Sequence, residues 1–364
     1  MSEPNHKVLP GPYLGFQLKH IGDFLMTLPA LGFLKKHTGA PVSMVVSPQT
    51  AELALRHNWI DEVFTLDRSK NFRHLRKVAQ DIRQKKYQTA FIFDGQPRSL
   101  LTATLAGIKN RLGASGLYPL GLLSLLYSHK INIMDNLWSL ESQAFRAQKM
   151  AAAVLGLEPG APMRPPQPEL DQASARRSSK LLTELTGQGP IIGLALQGRQ
   201  LEKSWPLAHF ITLCRKLSRE FGADIFVVGA EEEIPLARNL ARAAEVPMAN
   251  FCGRTSLSDV ILLAAGSDLF ITVDTGTSHL VALTNTPLIS IFIWTSPALW
   301  PPQTPHARLM VYNWALNRFA LKPTDGPWLR PWISAPIITP DLVFKEALVM
   351  LKTASTKATE GRIF

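Results

Sequence analysis

Short apolar runs alternate with longer stretches of helical period along most of the chain, and the alternation stops and restarts once. In the first half, "YLGFQL", "VSMVV", "EVFTL" and "TAFIF" are rich in β-branched and aromatic residues. Between them "FLMTLPALGFLKKH", "TAELALRHN" and "FRHLRKVAQDIRQKK" space their apolar residues for one face of a helix. Strand followed by helix, several times over, predicts βα units on a parallel sheet. The interruption is Leu157 to Leu170, "LEPGAPMRPPQPEL", whose five prolines fix φ and remove amide donors, so a stiff linker is expected there. Beyond it the rhythm resumes with strands "PIIGLAL", "ADIFVVG", "DLFITV" and "PLISIFI", and with helices "LAHFITLCRKLSREF", "EIPLARNLARAA", "SLSDVILLAAG" and "HLVALTN". The pattern predicts an α/β chain of two Rossmann-like, doubly wound domains, residues 1–165 and 171–335 with the linker over 157–170, facing across a cleft. A last segment, 336–364, contains "TPDLVFKEALVMLKTA", expected as a helix capped by Thr339 with an apolar face on Leu342, Ala347, Leu348 and Leu351.

Composition narrows the class. A chain of 364 residues is too long for one comfortable core, and 46% hydrophobic with 18% charged residues describes folded globular domains. Its two cysteines, Cys214 and Cys252, are far apart, so neither a disulfide framework nor a zinc site is expected. The N-terminus has no apolar core of signal-peptide length, which leads to the expectation of a cytoplasmic protein. Gly116 to Ser128, "GLYPLGLLSLLYS", is the nearest approach to a membrane segment. Broken by Pro119, it is expected as a partly buried helix, with a surface that dips into lipid as the alternative. Charge is uneven: residues 1–150 hold 19 Lys and Arg against 10 Asp and Glu, and residues 151–364 hold 20 against 18. A basic first domain favours an anionic partner, although a solvated helix face explains any single cluster equally well. No nucleic-acid motif accompanies the charge.

Candidate chemistry gathers where strands end. "VDTGTSHLVA" leaves the strand "DLFITV" through Asp274, Thr275 and Gly276, where a ligand of an open α/β sheet is expected. Amides opening the next helix would receive a phosphate, Asp274 would accept from sugar hydroxyls, and His279 would donate to a phosphate oxygen. The plainer alternative makes Asp274 or Thr275 a helix N-cap and His279 a core residue. "LALQGRQLEKSWP" places Arg199 and Lys203 on a loop after a strand, where cations would neutralise a leaving diphosphate. In "VVGAEEE", Glu233 stands where nucleotide folds hold ribose hydroxyls, although three glutamates also suit the helix dipole. "LKHIGDF" leaves its strand through Asp23, either the N-cap of a helix beginning at Phe24 or a carboxylate exposed at the cleft, where it could take a proton from an attacking hydroxyl, and the two are compatible. The first strand lacks G-x-G-x-x-G, which argues against a dehydrogenase.

Taken together, "GDFLMTLPAL", "FDGQPRSLLTATLAGIKNRLG", "KSWP", "GRTSLSDV", "DTGTSHLVA" and "TPLISIF" resemble glycosyltransferase family 9, the ADP-heptose:lipopolysaccharide heptosyltransferases of the GT-B fold. The resemblance runs from about Tyr13 to the final helix. It implies an inverting, metal-independent transfer of heptose from ADP-heptose to the lipopolysaccharide inner core, at the cytoplasmic face of the inner membrane and without a cofactor. By residue it implies Asp23 as general base, Lys203 beside the donor phosphate and Glu233 on the ribose. It also implies Thr255 at the adenine, and Asp274, Thr275, Gly276 and His279 as the donor-binding turn. Lys19 and Arg98 are acceptor-side candidates, and the final helix is expected to cross back onto the first domain. Two departures, Gly198-Arg199 before the loop lysine and Lys19-His20 before Gly22-Asp23, bear on the donor and acceptor. Trp294, Trp300, Trp314, Trp328 and Trp332 are expected mainly in packing, with sugar stacking as the alternative. The rival readings are a GT-B transferase with another nucleotide-sugar or acceptor, and a non-catalytic binder on the same fold.

Overall fold

The structure is a computed structural model that describes residues 8–114, 121–133, 141–185, 188–198, 203–312 and 332–358. It divides into two compact units, Met1–Glu169 and Leu170–Phe364, with the division inside the proline-rich stretch.

The first unit carries a parallel sheet of strands β1 (Tyr13–Gln17), β2 (Val42–Val46), β3 (Val63–Thr65), β4 (Thr89–Ile92), β5 (Asn110–Ala114) and β6 (His129–Ile131). Their order across the sheet is β3-β2-β1-β4-β5-β6. Helices α1 (Ile21–Thr38), α2 (Pro48–Leu55), α3 (Phe72–Gln84), α4 (Pro97–Leu105) and α5 (Gln143–Leu155) make or follow the crossovers. The reversal of strand order lies between β1 and β4, and open α/β sheets place their ligands at such a point, beyond the carboxyl ends of the strands. Residues Phe24 to Leu34 of α1 are buried without a break. That helix packs against α5, so both of its sides meet protein. By contrast, α3 buries only the stripe Leu75, Val78, Ala79 and Ile82 and turns its arginines and lysine outward.

The second unit repeats the plan with strands β7 (Ile191–Ala195), β8 (Asp224–Val227), β9 (Met248–Asn250), β10 (Leu269–Val273), β11 (Leu288–Phe292), β12 (Ala307–Tyr312) and β13 (Trp332–Ala335). They are ordered β13-β12-β11-β10-β7-β8-β9, all parallel where paired. Helix α6 (Gln172–Leu182) leads in. Between the strands lie α7 (Leu207–Phe221), α8 (Ile234–Ala244), α9 (Leu257–Ala265) and α10 (Gly276–Val281), and α11 (Pro340–Ala358) closes the unit. Here the order reverses between β7 and β10. Both central strands carry a glycine at their third residue because a neighbour lies over it. A Cβ on Gly15 would stand 2.3 Å from Met44 Sδ, and one on Gly193 would stand 2.3 Å from Phe270 Cε2.

Two expectations change. Helix α11 is capped as expected, with the Leu342 amide donating to Thr339 Oγ1 at 3.3 Å, but its buried stripe is Val343, Ala347 and Leu351, one turn apart each time. That stripe joins the core of the second unit, and α11 packs on α7, β10 and β11. Second, the partly buried helix expected over Gly116–Ser128 is not what its described residues form. Its described part is a 3-10 turn, Gly121–Leu126, with Leu122 and Leu125 turned outward, because six residues at this spacing leave no continuous buried face.

Candidate functional site

At the switch point of the first sheet, Asp23 occupies the third position of α1, and the His20 amide donates to its Oδ2 at 3.2 Å. The helix thus begins at Ile21, three residues earlier than expected, with His20 at the N-cap position and Asp23 closing the cap as a half-buried carboxylate near the end of β1. Buried Gln17 fixes the turn from below: its side-chain amide donates to Thr27 Oγ1 at 3.2 Å, and its carbonyl accepts from the Lys19 amide at 3.3 Å. Lys19 is half-buried beside these groups, and the Asp94 carboxyl feels its charge.

Asp94, which sequence reasoning passed over, is the best-held carboxyl of this region. It is 0% exposed and accepts from the Leu18 amide at 2.9 Å, the Gln96 amide at 2.9 Å and the Ser99 hydroxyl at 2.7 Å. It ties the end of β1 to the start of α4. Burial pushes its carboxyl above the ordinary range, outweighing the three hydrogen bonds and the Lys19 charge that lower it. Arg98, the second residue of α4, spends its guanidinium on the backbone carbonyls of Lys70 at 2.6 Å and Asn71 at 3.2 Å, which fastens the loop before α3.

In the second unit the ends of β10 and β7 converge. Lys203 Nζ lies 3.4 Å from Asp274 Oδ2, and the Thr295 hydroxyl donates to the same oxygen. Asp274 is 5% exposed and Lys203 is half-buried, so this pair is shielded more than a surface salt bridge. Gly198 completes the approach: a Cβ there would stand 3.4 Å from Thr275 Cγ2 and 3.7 Å from Lys203 Cβ. Arg199 falls outside the described residues. Trp205 anchors the far end of this loop. Buried among His209 and Phe210, it donates from Nε1 to the Ile338 carbonyl at 2.8 Å.

The turn at residue 275 opens α10. Thr275 is the N-cap of α10, and its hydroxyl accepts from the Thr277 amide at 3.0 Å, so that amide is already satisfied. The Ser278 amide donates to the Thr275 carbonyl at 3.1 Å, and α10 itself is only six residues long. Thr275 is thus the cap of α10, and the Thr277 amide is engaged by its hydroxyl. Gly276 is half-buried, and His279 is buried.

Across β7, the end of β8 holds Glu233. Its carboxylate accepts from the Ala230 amide at 3.1 Å and lies over Gly229, where a Cβ would stand 2.9 Å from its Cδ. Half-burial pushes this carboxyl up, with the neighbouring Glu232 adding to the shift and the Ala230 hydrogen bond opposing it. Gly253, just past β9 with φ of 69°, donates its amide to the Gly229 carbonyl at 3.0 Å, which ties the two loops together. Thr255 is half-buried just before Ser256, which caps α9 in a reciprocal pair with Asp259. The sites on β10, β7, β8 and β9 thus lie on four adjacent strands. Strands sit about 4.8 Å apart, so the row spans roughly 14 Å. A cation–carboxylate pair stands at one end and the half-buried Glu233 carboxyl further along. Of the tryptophans, Trp294 is exposed beside Thr295 and Trp300 is half-buried, whereas Trp314, Trp328 and the Trp332 side chain fall outside the described residues.

Asp94, Thr295, Trp205 and Gln17 went unread because each acts on a partner distant in sequence or on backbone; the only local signal was an Asp at a strand end before a helix-starting proline, "FDGQP".

Known proteins agree with this architecture. The chain is 25% identical over 243 residues to lipopolysaccharide heptosyltransferase 2 of Escherichia coli, covering 65% of this chain and 68% of that protein. Among solved structures it matches E. coli ADP-heptose LPS heptosyltransferase II at a TM-score of 0.75 and 20% identity, over 94% of this chain and 99% of that one. It also matches E. coli heptosyltransferase WaaC with ADP at a TM-score of 0.67 and 23% identity, over 93% and 99%. The model of "Glycosyltransferase family 9 (heptosyltransferase)" matches residues 75–321, more than half of the chain, and with two Rossmann-type sheets of GT-B architecture the protein belongs to that family of glycosyltransferases.

Proposed function

We propose that this glycosyltransferase moves a heptose from ADP-heptose to the inner core of lipopolysaccharide, with inversion and without a metal. The observation that carries the reading is the row of groups at the ends of β10, β7, β8 and β9: Lys203 paired to Asp274 at one end, Glu233 two strands away, and Thr255 beyond it. Its length suits a nucleoside diphosphate laid along the strand ends, with phosphate by Lys203, ribose by Glu233 and base by Thr255. The names of the relatives, lipopolysaccharide heptosyltransferases and one bound to ADP, supply the nucleotide and the sugar.

In the proposed displacement, Asp23 takes the proton of an acceptor hydroxyl, whose oxygen attacks the anomeric carbon as the bond to the diphosphate breaks and ADP leaves. Charge grows on the diphosphate. The Lys203 ammonium, at 3.4 Å from Asp274 and so only loosely held, turns to meet it, and preorganised groups of this kind contribute several kcal/mol. Asp274 and Thr295 keep the ammonium in place before the donor arrives. Gly276 and His279 line the same strand end, and the acceptor is a phosphorylated glycolipid to which the basic first half of the chain is complementary. The protein works at the cytoplasmic face of the inner membrane; none of the described helices is long and apolar enough to cross one.

The test is incubation with ADP-heptose and truncated core acceptors, followed by weighing the products. A gain of one heptose is expected. Consumption of a UDP- or GDP-sugar with ADP-heptose left intact would overturn the proposal.

A further inference from the structure

Between β5 and β6 the first unit turns leucines outward: Leu122 is 85% exposed and Leu125 is 75% exposed. The turn that carries them is firmly held. Arg111 Nε donates to the Leu126 carbonyl at 2.6 Å, and the Arg111 amide donates to Ser128 Oγ at 2.7 Å. The Tyr127 ring covers Gly113 so closely that a Cβ there would stand 2.3 Å from it. The two leucines are thus presented outward by a fixed base. Leu105, at the end of α4, is a third exposed leucine, and α4 packs against this turn.

The charge around them has one sign. From Gly95 through Met134 the sequence contains no Asp or Glu, while it contains Arg98, Lys109, Arg111 and Lys130. Lys109 and Lys130 are exposed, and Arg83, also exposed, donates to the Leu105 carbonyl at 3.0 Å. Outward leucines in a stretch of sequence that holds cations and no acids match the interface of an anionic bilayer, where apolar side chains enter the acyl boundary and cations meet headgroups. A protein partner of ordinary character would be expected to meet a rim of both signs.

We propose that the turn at Gly121–Leu126 docks the protein on anionic phospholipid, reversibly, with Leu122 and Leu125 entering the bilayer and Lys109, Lys130 and Arg83 over the headgroups. The value of docking rests on the proposed function, since an acceptor anchored in lipid is met more often by a protein held on the same surface.

The test is vesicle flotation of the full chain, with phosphatidylglycerol-containing vesicles against pure phosphatidylcholine, read without any transfer reaction. Wild-type protein is expected to float with the anionic vesicles alone and to be released by salt. The double variant Leu122→Ser/Leu125→Ser is expected to partition at least tenfold less, and each of Lys109→Glu and Lys130→Glu at least about fivefold less. Transfer to a lipid-free acceptor by the leucine variant is expected to match wild type, which separates failure of docking from failure of the proposed reaction. Equal flotation of wild type and the leucine variant would overturn the proposal. So would a wild-type dimer in sedimentation velocity that the leucine variant abolishes, since a second copy would then cover the leucines.

Discussion

Replacing Trp205 by Phe tests whether the loop that carries Lys203 is held by its far end. The substitution keeps a ring against Phe210, 4.8 Å away between centroids, but removes the indole N–H that donates to Ile338. Both Trp205 and Ile338 are buried, so no solvent replaces the lost donor. A stranded carbonyl costs about 1–3 kcal/mol. The smaller ring leaves a void that adds roughly 1 kcal/mol. A total near 3 kcal/mol, at roughly 2–4 °C per kcal/mol for a unit of this size, lowers the melting midpoint by roughly 6–12 °C. Calorimetry measures the midpoint, and ADP-heptose titration measures donor KM, which should rise severalfold as the Lys203 loop loosens. Phe210→Leu is the control: it thins the same cluster but leaves the indole hydrogen bond, so stability falls while donor KM holds. A Trp205→Phe midpoint within 1 °C of wild type would refute the energetic argument, and a lowered midpoint with unchanged KM would refute the link to Lys203.

Four further outcomes are expected. Gly229→Ala places a methyl 2.9 Å from the Glu233 carboxyl, which must swing aside; isothermal titration should show donor affinity down severalfold with a stability loss under about 1 kcal/mol. Because the Asp94 carboxyl is raised in the folded protein above its ordinary 3.8, its contribution is full below that value and is lost as pH rises through the folded value. The stability margin of wild type over Asp94→Asn in urea melts should therefore widen as pH falls toward 4, and a narrowing margin would contradict the burial argument. Asp23→Asn should leave ADP-heptose binding nearly intact while kcat drops at least about a hundredfold; normal turnover removes Asp23 from the base role. Treatment with EDTA should leave the transfer rate unchanged, and rescue by magnesium of an EDTA-silenced enzyme would end the metal-free account.

Much of the plan was legible in local sequence. Long apolar strands flanked by turn residues marked β1, β7 and β10, and the residues following them, Asp23, Lys203 and Asp274, stand at the two points where strand order reverses. Short or edge strands escaped notice: "NRLGA" of β5 and "MAN" of β9 have too few apolar residues to show a period. Asp94 escaped for another reason. Its partner Leu18 lies 76 positions upstream, so only the folded sheet reveals why a carboxylate is kept there. Thr295 bonds 21 positions back to Asp274, and Trp205 reaches 133 positions ahead. Such pairings leave no mark within a sequence window. Thr275 shows the reverse case, because its cap role was visible locally and in the structure its hydroxyl satisfies the Thr277 amide.

Each sheet is built outward from its first strand, so β1 must await β4 and β7 must await β10 to cover one side. On a ribosome adding roughly 5–20 residues per second, the about 75 residues between β7 and β10 take roughly 4–15 s. For that interval the nascent chain displays an unpaired, apolar strand margin, the kind of surface that recruits like strands from other chains. Expression yield should accordingly depend on translation speed through residues 196–268 and on the supply of holding chaperones.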